Sequence, residues 1–280
     1  MYLTSELELI SSAKVLKIAL LCDYSKSSTG TILDHINSII NYSFHNVQII
    51  NFRHNLPAGI NLDDYDCLIL HYTLVACNDY YISPDTRISI MNFTGAKLVF
   101  IQDEYRFIDA TVAAFSAMKI NGILTVVNKQ IVPHIYPPQK LSGVRCETIL
   151  TGYVPKNLHN LEVPAFADRS IDVGYRGRDL PYWLGYFAQE KRIIADKFAA
   201  DAKQYNLKCN ISCKETDRIY GRKWIDFISS CKAMLGVESG ASVCDFTGEI
   251  QSNVEKYTSQ YPDATFETSV KNFLNMKMGE

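Results

Sequence analysis

Surplus charge is missing from this sequence. Its 28 Lys and Arg stand against 30 Asp and Glu, a formal charge of -2, so no global field draws nucleic acid or an anionic membrane. Any anion site must be local. Long apolar runs are missing too: none approaches the roughly 18 residues of a membrane span. The start, "MYLTSELELISSAKVLKIALL", carries acidic residues where a signal peptide would be basic. Cysteine occurs at 22, 67, 77, 146, 209, 213, 231 and 244, with neither a metal spacing nor a disulfide framework. Most lie in apolar runs, where a thiol acts as a small hydrophobe. They read as reduced, which implies a cytoplasmic protein; peripheral contact with the inner face of a membrane stays open. No GxSxG, HExxH or CxxC occurs, against serine hydrolase, zinc protease and thiol redox chemistry. Neither nucleotide fingerprint, GxGxxG or GxxxxGK[ST], is present, and there is no internal repeat or low-complexity segment.

What is present is alternation. With 280 residues, 47% of them hydrophobic, the chain can bury a sizeable core and should hold about two domains. "VLKIALLC" (15–22), "NVQIINF" (46–52), "DCLILHY" (66–72), "KLVFIQ" (97–102), "GILTVV" (122–127) and "ETILTGY" (147–153) are β-branched or leucine-rich runs of strand length. They read as strands buried on both faces. Between them, 31–43 and 107–118 have apolar residues at helical spacing. A polar, proline-bearing stretch, 154–170, marks a boundary, after which the pattern restarts: strand 171–175, helix 186–205, strand 208–213, helix 222–231, strand 233–238. The expectation is α/β: two Rossmann-like, doubly wound domains facing a cleft, 1–155 and 171–280, joined by a connector at 156–170. The second is incomplete, because about three strands are fewer than a full half uses.

Open parallel sheets bind ligands at the C-terminal ends of their strands, so motifs placed just after strands carry weight. In "DVGYRGRDLPYWLGYFAQEK", Gly174 and Gly177 flank a strand end, Arg176 and Arg178 offer planar forks, and a helix N-terminus follows. Together they outline an anion site. At about 100° per residue, Phe187, Ile194, Phe198 and Tyr205 form one helical stripe, and Lys191 projects within roughly 40° of it. A diphosphate on Arg176, Gly177, Arg178 and Lys191 is the reading; solvated charges with a snorkelling lysine are the alternative. In "GVESGASVCDF", Glu238 at a strand end suits a sugar or ribose hydroxyl pair, with Ser239, Gly240 and Ser242 exposing backbone amides; a helix cap by either serine competes. After strand "KLVFI", Asp103 and Glu104 could serve as base or hydrogen-bond partners with Arg106 as counter-ion, or form a local capping pair. His71 ends a strand and could act as a base, while His35 lies in the first helix and could point either way. The loop 23–30 suits a plain βα turn, and "DYD" (64–66) precedes its strand, at the wrong edge for a metal site.

The segments "DVGYRGRDLPYWLGYFAQEK" and "DRIYGRKWIDFISSCKAMLGVESGASVCDF" resemble the donor half of GT-B fold glycosyltransferases, in particular a bacterial surface-polysaccharide group. "TILDHI", "IQDEYR" and "ILTGYVP" resemble its first domain. The resemblance implies transfer of a sugar from a nucleotide-diphosphate donor to a glycan or lipid-linked acceptor, without metal, cofactor or nucleic acid. Arg178 and Lys191 match the family's diphosphate-binding positions, with Arg176 as an alternate. His35, His71 and Arg106 would lie on the acceptor side, and Asp103, Glu104 and Glu238 are the catalytic candidates. The family's two glutamates eight positions apart are not both here: Glu238 could be the first, but Phe246 stands in the second place, and Asp245 and Glu249 miss the spacing. The chain also looks cut short at Glu280. A non-catalytic nucleotide- or glycan-binding module is the competing expectation.

Overall fold

The computed structural model describes residues 14–25, 30–150, 152–238 and 240–269. The chain divides into two compact units. The first takes in the chain up to Glu104 together with Ala110–Val154; the second joins Tyr105–Asp109 to the chain from Pro155 onward. Residues 105–109, read from sequence as part of the first domain, therefore group with the second unit. Ser239 and residues 26–29 of the loop 23–30 lie outside the described residues.

The first unit holds a six-stranded parallel sheet of β1 (Lys17–Cys22), β2 (Asn46–Asn51), β3 (Cys67–Leu70), β4 (Ala96–Phe100), β5 (Gly122–Thr125) and β6 (Arg145–Thr148), in the order β2-β1-β3-β4-β5-β6. Parallel neighbours need crossovers. Helices α1 (Gly30–Tyr42), α2 (Pro84–Asn92), α3 (Ile108–Ala117) and the single turn α4 (Val132–Ile135) lie between them in sequence. Every residue of β3 is buried, and all of β1 after Lys17, as a strand covered on both faces requires. The edge strands differ from expectation: no residue of β6 is buried, and only Ile50 of β2 is. β6 also starts and stops early, leaving Leu150 87% exposed, because Arg145 and Glu147 cannot face a core. Helix α2, which apolar spacing does not reveal, starts at a cap: the Ser83 hydroxyl accepts the Thr86 N–H and Pro84 opens the first turn, an arrangement worth about 1 kcal/mol. Leu20, Leu21, Ile36, Leu68, Leu70, Ile90, Phe115 and Ile123 are fully buried, each worth roughly 1.5–3 kcal/mol of transfer free energy. The strand order reverses between β1 and β3, so their C-terminal ends flank the crevice where such sheets take ligands.

The second unit has a three-stranded parallel sheet of β7 (Ile171–Arg176), β8 (Cys209–Ser212) and β9 (Cys231–Met234), ordered β8-β7-β9. Helices α5 (Tyr186–Asp201), α6 (Arg222–Ser230), α7 (Glu249–Gln260) and the short α8 (Phe266–Ser269) accompany it. β9 ends at Met234, four residues short of Glu238. Its last tie is the Leu235 N–H to the Gly174 carbonyl, 3.1 Å, after which the glycine-bearing stretch 235–248 leaves the sheet. Along α5 the buried stripe is Ala188 and Ala195, continued by Ala202, whereas Phe187 and Tyr205 are exposed. Small residues let the helix lie close to its neighbours, and the rings flank it. Lys191, three residues after Ala188 and four before Ala195, belongs to this inward face.

A second apolar cluster forms around Trp183, with Leu184, Ala188 and Val254 buried and Tyr105 packed against them. Here Tyr105–Asp109 is stitched in by backbone bonds, Asp245 N–H to Tyr105 O at 2.7 Å and Asp109 N–H to Phe246 O at 3.0 Å. Among the described residues, no helix is long and apolar enough to cross a membrane.

Candidate anion-binding site

The order β8-β7-β9 puts the reversal of the second sheet at β7 and β9, so the stretches 177–185 and 235–248 flank its crevice. Of the cations expected at the end of β7, Arg176 is already used. Its Nε donates to Asp217 O (3.1 Å), Nη1 to Tyr175 O (2.8 Å) and Asn210 O (2.9 Å), and Nη2 to Asn210 Oδ1 (2.8 Å). The guanidinium also lies 4.4 Å from the Phe227 ring centroid. A fork with these acceptors ties strands and loop together and has little left for a phosphate. The glycines are likewise explained by packing. A Cβ on Gly177 would come within 2.8 Å of the Tyr175 ring and 3.0 Å of Cys213 Sγ, and one on Gly174 would strike Cys231 and Phe227.

Arg178 and Lys191 are different. Among the described residues neither side chain has a hydrogen-bond acceptor or carboxylate partner, and the two are near enough for their charges to interact. Burial, and then the Arg178 guanidinium, hold the Lys191 ammonium below the ordinary lysine range. Arg192, one residue on, is neutralised by Asp179 at 3.0 Å and Asp196 at 2.9 Å. Two neighbouring cations that have no counter-ion among the described residues, one of them half-buried, make a place where an anion would relieve both like-charge repulsion and desolvation.

Beyond β9, Glu238 and Gly240 are exposed, Gly240 with φ 102 and open space where a side chain would be. Ser242 takes the capping alternative, on a helix other than the next one. Its N–H donates to Leu184 O (2.9 Å), and its hydroxyl stands 3.5 Å from the Phe187 N–H at the start of α5. Asp245, set aside in the sequence for its spacing, is 1% exposed. It accepts from Gly248 N–H and Gln251 N–H, both at 2.8 Å, and so caps α7. The signal was an Asp four residues ahead of a helical pattern.

In the first unit, Asp103 sits in left-handed backbone (φ 57), which an Asp tolerates better than most residues. Glu104 is 8% exposed and accepts from Thr125 Oγ1 (2.5 Å), Val126 N–H (2.8 Å) and the Tyr136 hydroxyl. Burial raises its pKa against those bonds. These donors are uncharged, so Arg106 is not its counter-ion. Arg106 instead lies 5.0 Å from the Phe107 and 5.5 Å from the Trp183 ring centroids, within the second unit. His35 and His71, 36 positions apart, meet: Nδ1 of His35 is 2.9 Å from Nε2 of His71. His71 Nδ1 receives the Thr73 N–H at 3.2 Å, so its proton is on Nε2, which donates to His35 Nδ1; His35 therefore carries its own proton on Nε2. Burial and the neighbouring ring lower His71 to about 3. It is a poor base. "DYD" is structural at Asp66, which accepts the Lys17 N–H (2.8 Å) and pairs with Lys14 (3.0 Å) at the start of β1. Among the described residues, no group of three or more His, Cys, Asp or Glu could hold a metal ion.

No protein-family model matches the chain, and no curated protein matches it. Among solved structures, the crystal structure of T4 phage BGT in complex with its UDP-glucose substrate is similar over 64% of this chain, with a TM-score of 0.39 and 14% identity. The overlap spans 56% of that chain.

Proposed function

We propose that the chain binds a nucleoside diphosphate beyond β7 and transfers a sugar from a nucleotide-diphosphate sugar to a glycan or lipid-linked acceptor at the cytoplasmic face of surface-polysaccharide synthesis. The observation that carries the reading is the neighbouring Arg178 and Lys191 pair, without a counter-ion among the described residues and with Lys191 partly desolvated. In sugar transfer, negative charge builds on the departing diphosphate, and fixed cations there act most strongly in the transition state. They do the neutralising, so the reading needs no metal or cofactor. Glu238, beyond β9, would accept hydroxyls of the donor sugar. Asp103 is kept as a catalytic candidate and His35 as an acceptor-side group, and Arg176, Glu104 and His71 are assigned to structure. A second reading is favoured by the saturation of Glu104 and the poor basicity of His71: a nucleotide- or glycan-binding module without turnover.

Arg178→Ala and Lys191→Ala are each expected to weaken nucleoside diphosphate binding by about 1.5–3 kcal/mol, the range of a charge-assisted hydrogen bond. Unfolding temperature should hardly change, because neither side chain has a hydrogen-bond or ion-pair partner to lose among the described residues. Unchanged affinity by calorimetry, with the fold intact, removes the diphosphate reading. A panel of nucleotide sugars then separates the two functions: transfer or hydrolysis supports the enzyme, and binding without turnover the module.

A further inference from the structure

The stretch after β8, residues 213–221, plays no part in the site above, yet it is tied to both of its supports. Cys213 Sγ stands 3.7 Å from the Lys191 carbonyl, as donor to it, and fills the space beside Gly177. Arg176 Nε holds the Asp217 carbonyl. The stretch is braced within itself as well: Ser212 Oγ donates to Asp217 Oδ2 at 2.7 Å and accepts the Lys214 N–H at 3.1 Å. Three residues past Asp217 comes Tyr220. It is 55% exposed, and its ring centroid is 5.0 Å from the Arg218 guanidinium, which Glu215 holds at 2.6 Å. An aromatic ring that solvent reaches, positioned by a cation that is itself positioned, sits at the C-terminal edge of the same sheet as the cation pair.

On the diphosphate reading of Arg178 and Lys191, we propose that Tyr220 is the platform for the nucleotide base. Strand order sets the direction. With β7 central, phosphates beyond it have β9 on one side, followed by the acceptor carboxylate of Glu238, and β8 on the other, followed by the ring of Tyr220. Hydroxyl-rich sugar suits the carboxylate, and a flat base suits the ring. Every base has a π face, so the ring adds affinity for a nucleoside without choosing among bases.

Calorimetric titration of the full chain with uridine diphosphate and with inorganic pyrophosphate tests this, with circular dichroism confirming each variant's fold. Tyr220→Ala should weaken uridine diphosphate about tenfold or more and leave pyrophosphate unchanged, whereas Tyr220→Phe keeps the stack and should retain nearly all the affinity. If the wild type binds both probes but Tyr220→Ala changes neither, or weakens both equally, the platform is overturned and the cation pair stands. If the wild type binds neither, or Arg178→Ala weakens neither, the diphosphate reading falls and the platform with it.

Discussion

Arg176 and Arg178 stand two positions apart with the same chemistry, and what separates them lies far along the chain. Arg176 meets Asn210 and Asp217, 34 and 41 residues away, whereas the Arg178 charge acts on Lys191. Arg176→Ala should therefore lower stability by about 1–3 kcal/mol, through acceptors left unpaired, and weaken nucleoside diphosphate binding less than Arg178→Ala does. Denaturation midpoints measured beside affinities check this; a larger loss of affinity for the Arg176 variant would return it to the site. The pattern of the strand could not have told them apart, because the deciding acceptors come from β8 and the turn beyond it. The histidine pair was hidden for the same reason. His71 was visible at a strand end and His35 in the first helix, but their shared hydrogen bond exists only once α1 covers the end of β3.

At the level of elements, continuous apolar runs were legible wherever both faces of a strand are covered, as in β1 and β3. Ends were less so. Apolar Leu235 and Val237 prolonged the apparent strand to Glu238, although the ladder with β7 stops at Leu235. Helix α2 shows the converse, a helix announced by its cap, Ser83 and Pro84, rather than by apolar spacing. The Asp245 cap of α7 yields a prediction at this scale. Both carboxylate oxygens satisfy N–H groups of the first turn, and Val254 on α7 packs with Trp183. Asp245→Ala should cost about 1–3 kcal/mol, through the lost cap and the bared donors, with the Trp183 emission shifted to the red. Asp245→Asn retains one acceptor oxygen and should cost less. An unshifted midpoint in Asp245→Ala would show that the turn is held by the Tyr105 and Phe246 backbone bonds alone.

Across the whole molecule, acid should act on the two units at different pH. Burial lowers both His35 and His71 in the first unit, so the unfolded chain takes up protons that the folded one refuses. Stability from this source is complete above about pH 6.5, the unfolded value, and declines as pH falls toward the folded value of about 3 for His71. The slope is about 1.4 kcal/mol per pH unit for each proton. In the second unit the resolved carboxylate shifts are also downward, but from favourable bonds to the charged form, and they act at lower pH. Asp172, bonded to Lys232 and the Lys208 N–H, and Asp217, bonded to Ser212, are held below the carboxylate range. Their contribution is complete above about pH 4 and is lost below it. Both tryptophans, Trp183 and Trp224, belong to the second unit, so an acid titration should change far-UV circular dichroism before tryptophan emission. His71→Phe should flatten the early part of the dichroism curve; coincident curves in both proteins would refute the assignment.

Tyr105–Asp109 gives the second unit a different kind of consequence, one of inheritance. A protein encoded from the Pro155 codon onward would lack the carbonyl that Asp245 bonds, the N–H that Phe246 bonds, the ring against Gly248 and the aromatic and guanidinium neighbours of Trp183. It is not a cassette. Any recombination that exchanged this unit between genes would have to bring along a piece of coding sequence some fifty codons upstream, flanked on both sides by the other unit. The two halves of such a chain are expected to share one genealogy, and a chimera that exchanges the second unit at residues 155–170 should fold that unit only when the matching Tyr105–Asp109 is swapped with it.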